Sequence, residues 1–121
     1  MPKRYTIDEA NALLDRLAPL LVELREKMEE AATIRQTVTQ MAASNGWSHE
    51  REGWSKTLAR VGELVDRLGE WELILRDIST GLVDFPAVID GRDAYLCWRL
   101  GEPEVAYWHS PDDGFQGRRP L

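Results

Sequence analysis

Six side chains near the C-terminus carry functional groups that could act together: Asp84, Cys97, Arg99, Tyr107, His109 and Arg118. Cys97, His109 and Asp84 have the residue types of a nucleophile, its base and an orienting carboxylate. A neighbouring Arg99 would favour the thiolate form of Cys97. Cys97 is therefore a reactive-thiol candidate, although cysteine is also often a small buried hydrophobic residue. We assign no catalytic residue from these types alone.

The two arginines indicate a second kind of chemistry. Arg99 and Arg118 could clamp a carboxylate or phosphate, since guanidinium groups bind both with paired hydrogen bonds. The alternative is structural, with Arg99 paired to Asp84 or Glu102 and Arg118 holding the tail of the chain. The ligand-binding candidates are Asp84, Arg99, Tyr107, His109 and Arg118.

Two turn signals place these side chains on a sheet. Asp90-Gly91 separates two largely apolar runs and predicts a type I′ hairpin, because Gly tolerates the positive φ of this turn. Gly101-Glu102-Pro103 then separates the second run from a third. The sequence thus predicts a three-stranded antiparallel meander over residues 82–109.

Counting outward from these turns gives a strand register. Asp84 falls opposite Cys97, Cys97 opposite Tyr107, and Tyr95 opposite His109. Alternation then gathers the polar candidates on one face and leaves the other face apolar. A one-residue slip would scatter the polar set. The predicted core face carries Phe85, Ala87, Ile89, Ala94, Leu96, Trp98, Ala106 and Trp108.

Two helices are predicted before the sheet. Thr6-Ile7-Asp8-Glu9 has the pattern of a capping box, and apolar residues follow it at heptad spacing. The pattern predicts a first helix over residues 6–43, kinked rather than broken at Pro19 because the pattern keeps its phase there. Asn45-Gly46 predicts the loop, and a second helix follows over residues 49–80, with Gly81 as its C-cap. Residues 110–121 have the composition of a tail.

The predicted fold is one α+β domain spanning residues 1–121. It is a long antiparallel, coiled-coil-like helical hairpin followed by the small meander. A 38-residue helix is about 57 Å long, far longer than the small sheet, and its apolar stripe is too wide for one partner helix to cover. We therefore expect a homodimer formed through the hairpin.

Composition excludes several function classes. The net charge of −6 argues against a nucleic-acid surface, which needs clustered basic residues. A single Cys fits a reducing compartment, and no apolar run resembles a signal peptide or membrane span. We expect a soluble cytoplasmic protein without nucleic-acid or membrane partners. The sequence has no metal-binding spacing on its helices and no phosphate or dinucleotide fingerprint, so no metal and no cofactor are expected.

Four segments carry a family resemblance: GLVDFPA at 81–87, CWRLGE at 97–102, YWH at 107–109 and GFQGR at 114–118. With these and the opening YTIDEANALL, the chain closely resembles a bacterial family of small proteins catalogued only as a domain of unknown function. The resemblance spans nearly the whole chain. It implies a bacterial or archaeal cytoplasmic protein and carries over no activity.

The sequence thus favours a non-enzymatic, homodimeric interaction or assembly module that uses its helical hairpin to contact a protein partner. The alternative is a small-molecule or anion-binding protein, or an enzyme, with its site on the polar face of the sheet.

Overall fold

Two helices are followed by one antiparallel sheet of five strands in the computed structural model, which describes residues 2–40 and 48–121. The α+β class is confirmed. The strands neighbour one another in chain order, β1-β2-β3-β4-β5. The elements are α1 (Ile7–Gln40), α2 (Ser48–Glu70), β1 (Ile74–Asp77), β2 (Leu82–Ile89), β3 (Arg92–Arg99), β4 (Tyr107–His109), a 3-10 turn (Phe115–Gly117) and β5 (Arg119–Pro120).

Helix α1 begins at the predicted capping box. The Glu9 amide donates to Thr6 Oγ1 at 3.1 Å, and the Thr6 amide donates to Glu9 Oε1 at 2.9 Å. The helix runs through Pro19 without ending. It is described as far as Gln40, and the predicted end at residue 43 and the Asn45-Gly46 loop lie outside the described residues.

Helix α2 is shorter than predicted, because it ends at Glu70 instead of continuing to residue 80. The Leu73 amide donates to the Leu68 carbonyl and the Glu72 amide to the Gly69 carbonyl, at 3.1 and 3.0 Å, which is the Schellman pattern of a helix end. Glu72 takes the left-handed position of this motif, with φ of +56°. Glycine is usual there, so the sequence offers no signal for this end.

The sheet contains the predicted register and two further strands. Asp90 and Gly91 have φ of +54° and +77°, as a type I′ turn requires. Asp84 pairs with Cys97, Cys97 with Tyr107, and Tyr95 with His109, so the predicted register is confirmed. The prediction of three strands was wrong at both edges. β1 was assigned to the second helix, and β5 was read as tail.

Gly81 lies in the turn between β1 and β2 instead of capping a helix. Its φ is +70°, and a Cβ added there would lie 2.5 Å from the Cβ of Leu100. The Leu100 amide also donates to the Gly81 carbonyl at 3.0 Å. Glycine is thus required by both the backbone conformation and the close approach of Leu100.

One apolar core joins both helices to one face of the sheet. Leu17, Leu21 and Leu24 of α1 and Phe85 of β2 are fully buried in it. Leu58 and Val65 of α2 lie outside this core and are 43% and 47% exposed. Across the described residues, neither helix offers a stretch apolar and long enough to cross a membrane.

Candidate functional site

A buried carboxylate lies on the polar face of the sheet. Asp84 is on β2 between Val83 and Phe85, and because successive residues of a strand face opposite sides, its side chain points away from the core that these two residues fill. It is nevertheless only 1% exposed, as is its cross-strand partner Cys97 on β3. The predicted polar face is therefore an interior site.

Arg76 supplies a positive charge that the sequence analysis missed. It lies in β1 where the pairing with β2 is irregular, between Leu75 and Asp77; such irregularities re-aim side chains. Its Nε donates to Asp84 Oδ2 at 2.8 Å. Arg76 falls within the predicted second helix, residues 49–80, so its proximity to the sheet was not expected.

His109 on β4 contacts the same carboxylate oxygen. Its Nε2 lies 2.8 Å from Asp84 Oδ2, and its Nδ1 lies 2.8 Å from the Ser110 carbonyl oxygen. A carbonyl only accepts hydrogen bonds, so Nδ1 carries a hydrogen. The short contact between Nε2 and Oδ2 also requires a proton, and the pair therefore shares one. With both ring nitrogens engaged, His109 has none left to activate Cys97, and the predicted nucleophile–base pair is not formed.

The second oxygen of Asp84 has no partner among the described residues. Oδ1 is buried and accepts no hydrogen bond, whereas Oδ2 accepts two. Asp84 lines a cavity of about 370 Å³ together with Arg76, Cys97 and His109. Residues 111–115 of the tail form its remaining wall, with Leu82. The site is thus a cavity lined by a buried aspartate, one of whose oxygens has no hydrogen-bond partner among the described residues.

Cys97 is held as a thiol in this environment. Burial is the main cause that raises the pKa of Cys97 to about 11. The Asp84 carboxylate adds to this increase, and the nearby Arg118 opposes it only in part. A reactive thiolate is therefore disfavoured in the free protein. The sulfur is nevertheless close to the other two groups, since one ligand atom each from Asp84, Cys97 and His109 lie within 4.8 Å of one another.

The other three predicted site residues form a separate cluster that holds the tail. Arg118 donates to Glu102 Oε1 at 2.5 Å and to the Cys97 carbonyl at 3.3 Å. Its guanidinium group stacks 4.1 Å from the centroid of the Tyr107 ring. Arg99 lies over the ring of Phe115, at 5.8 Å. Arg118, a residue of the predicted anion clamp, therefore has the structural role that was the alternative: it holds the tail of the chain.

The family comparison agrees with the expected resemblance to a domain of unknown function. The family described as uncharacterized conserved protein (DUF2203) matches residues 3–121. The chain belongs to this family. No curated protein and no solved structure matches this DUF2203 chain. Its function must therefore be inferred from the Asp84 site itself.

Proposed function

We propose that this DUF2203 protein binds a small ligand in the cavity beside Asp84, and that the ligand presents a positive charge or a hydrogen-bond donor to Asp84 Oδ1. The observation that carries the proposal is that Asp84, a residue lining the cavity, has a buried Oδ1 without a hydrogen-bond partner among the described residues. Leaving a buried acceptor unsatisfied costs about 1–3 kcal/mol, and more when the group is charged. A ligand that satisfies Oδ1 recovers this free energy.

The charges around the cavity favour a cation over an anion. Asp84, Asp112 and Asp113 are acidic residues of its wall, and Arg76 is the basic one. Arg76 Nε is already bonded to Asp84. An anion entering the cavity would be repelled by the excess of negative charge. A cation or a donor group would be attracted and could bind Asp84 Oδ1, which has no other partner among the described residues.

Thermal unfolding of the purified protein tests this proposal. Divalent metal ions, alkylamines, guanidines, carboxylates and phosphates are each added in excess. A ligand at about 100 times its dissociation constant stabilises the folded state by roughly 2.7 kcal/mol, which raises the melting temperature by several degrees. We expect at least one cation or donor to do so, and Asp84→Asn to abolish the increase measured from its own unliganded midpoint.

Asp93→Asn is the matched control, because Asp93 is an exposed carboxylate on the adjacent strand β3. It should keep the full ligand-induced increase. An increase caused only by anions, or one that survives Asp84→Asn, contradicts the proposal.

We also propose that the helices mediate self-association into a homodimer. Leu58 and Val65 support this, because they are about half exposed and lie one heptad apart on the same face of α2. A second copy of the chain would bury this apolar face.

Sedimentation of the wild type and of Leu58→Lys and Val65→Lys measures this association. Both substitutions should yield monomers with little loss of folded-state stability, because both sites are exposed. Val88→Lys, at an exposed apolar position on β2, is the control and should remain dimeric. A wild type that sediments as a monomer at micromolar concentration rules out the homodimer.

A further inference from the structure

We propose that the ligand of the Asp84 cavity is a divalent transition-metal ion of the zinc type, coordinated by Cys97 Sγ, His109 Nε2 and Asp84 Oδ1. This inference rests on the proposed function, because it names the class of ligand that the same cavity binds. It departs from the sequence-based expectation of no metal. That expectation considered only ligand pairs at helical spacing. These three ligands come instead from three neighbouring strands.

The sheet holds the three ligands in adjacent positions. Asp84 and Cys97 are direct partners between β2 and β3, and His109 lies on β4, the next strand. Their ligand atoms lie within 4.8 Å of one another. A tetrahedral zinc site needs separations of roughly 3.3–3.6 Å, given bonds of about 2.0 Å to nitrogen or oxygen and 2.3 Å to sulfur. Side-chain rotations that move the ligand atoms by about an ångström can close this difference while the strands stay in place.

The groups around the ligands are those that metal sites use to orient them. A coordinating histidine commonly donates its other ring N–H to a backbone carbonyl, and a coordinating carboxylate is itself hydrogen-bonded. His109 Nδ1 donates to the Ser110 carbonyl, which leaves Nε2 directed toward Asp84. Arg76 Nε occupies Asp84 Oδ2 and leaves Oδ1 without a partner. A metal ion would thus take Oδ1, which has no partner among the described residues, and Nε2, once the contact of Nε2 with Asp84 Oδ2 is broken.

The ligand types select the metal. Thiolate and imidazole favour zinc-like ions over magnesium or calcium, which prefer oxygen ligands throughout. Binding releases two protons to solvent, one from the Cys97 thiol and one from the pair shared by His109 and Asp84. The thiolate and the carboxylate then balance the two positive charges of the ion. Three protein ligands leave a fourth position open toward the cavity, as in zinc sites that bind water or substrate.

Cobalt absorption provides a direct test on the full-length protein after treatment with a chelator. Co²⁺ should bind with one ion per chain, giving intense visible bands of tetrahedral cobalt and a near-ultraviolet band of thiolate-to-metal charge transfer. Zn²⁺ should displace it. Cys97→Ser is nearly isosteric and should lose the charge-transfer band. His109→Gln should weaken Zn²⁺ binding by at least about 10–100-fold, and Asp93→Asn should leave it unchanged.

Three outcomes separate this inference from the proposed function. Co²⁺ binding without a charge-transfer band, or with a band that persists in Cys97→Ser, overturns the metal site. If no divalent ion binds but an amine or guanidine stabilises the wild type and not Asp84→Asn, the ligand cavity stands and the metal assignment is wrong. If no compound stabilises the wild type, both proposals fail.

Discussion

Replacing Asp84 by Asn should destabilise the metal-free protein, although the two side chains have nearly the same shape. Arg76 Nε and His109 Nε2 both make their contact with a single oxygen, Oδ2, at 2.8 Å. An Asn oxygen in that position can still accept from Arg76, but the pair with His109 loses its negative charge. An Asn nitrogen there can donate to His109, but it then faces the Arg76 donor. Either orientation weakens or loses at least one of the two bonds.

The size of the effect follows from the bond that is lost. A hydrogen bond to a charged group contributes about 1.5–3 kcal/mol. Arg76 is partly exposed, with 43% of its side chain accessible, so water can replace its bond at low cost. His109 is buried and has no such replacement. Asn therefore keeps its best arrangement by preserving the contact with His109. Because water replaces part of the lost Arg76 bond, we expect a net loss of about 1–1.5 kcal/mol, at or below the low end of this range.

Urea unfolding followed by circular dichroism measures this loss, and the slope with denaturant should not change. For a chain of this length, the loss corresponds to a melting temperature lower by roughly 3–8 °C. Asp93→Asn should change the stability by less than about 0.5 kcal/mol, because its pair with Arg4 is exposed. An Asp84→Asn variant as stable as the wild type would refute the view that two donors compete for one oxygen.

Three further substitutions or modifications test other parts of the structure. Gly81→Ala should destabilise the fold by more than about 1 kcal/mol in urea unfolding, because the alanine would be strained at this positive φ and its Cβ would clash with Leu100. An unchanged stability would contradict the close approach of Leu100. Gly62→Ala has open space around it in α2 and should instead stabilise by about 0.5–1 kcal/mol, and destabilisation would indicate a hidden contact. Cys97 should resist thiol reagents in the folded, metal-free protein at neutral pH and react on unfolding, because burial raises its pKa to about 11; rapid modification of the folded protein would show an accessible thiolate.

The register of the central strands could be predicted from sequence because the turns fix it. Asp90-Gly91 allows a two-residue loop with positive φ at both positions, and once that turn is set, each pair along β2 and β3 follows. The same reasoning placed Asp84 beside Cys97 and brought His109 to the same face. The position of the site therefore depended on local signals that the sequence carries.

The first strand could not be predicted because its boundary depends on a residue without a turn signal. Glu72 adopts the left-handed conformation that normally favours Gly. The apolar residues Leu75 and Ile78 also fit the spacing of the helical stripe, so the periodicity continues past the true end of α2. This error removed Arg76 from the candidate site. It also hid the burial of Asp84, since β1 and the tail cover a face that the three-stranded prediction left open.

The burial of Asp84 is itself an argument for function. Apolar residues of similar volume can often replace a buried ion pair without loss of stability, yet here three separate segments converge on one carboxylate. Arg76 comes from the irregular part of β1, His109 from β4, and the cavity wall from the tail. The tail is in turn held by Arg118, which bonds Glu102. A buried polar atom without a partner needs a specific explanation, and a ligand bound in the adjoining cavity would supply one for Asp84 Oδ1.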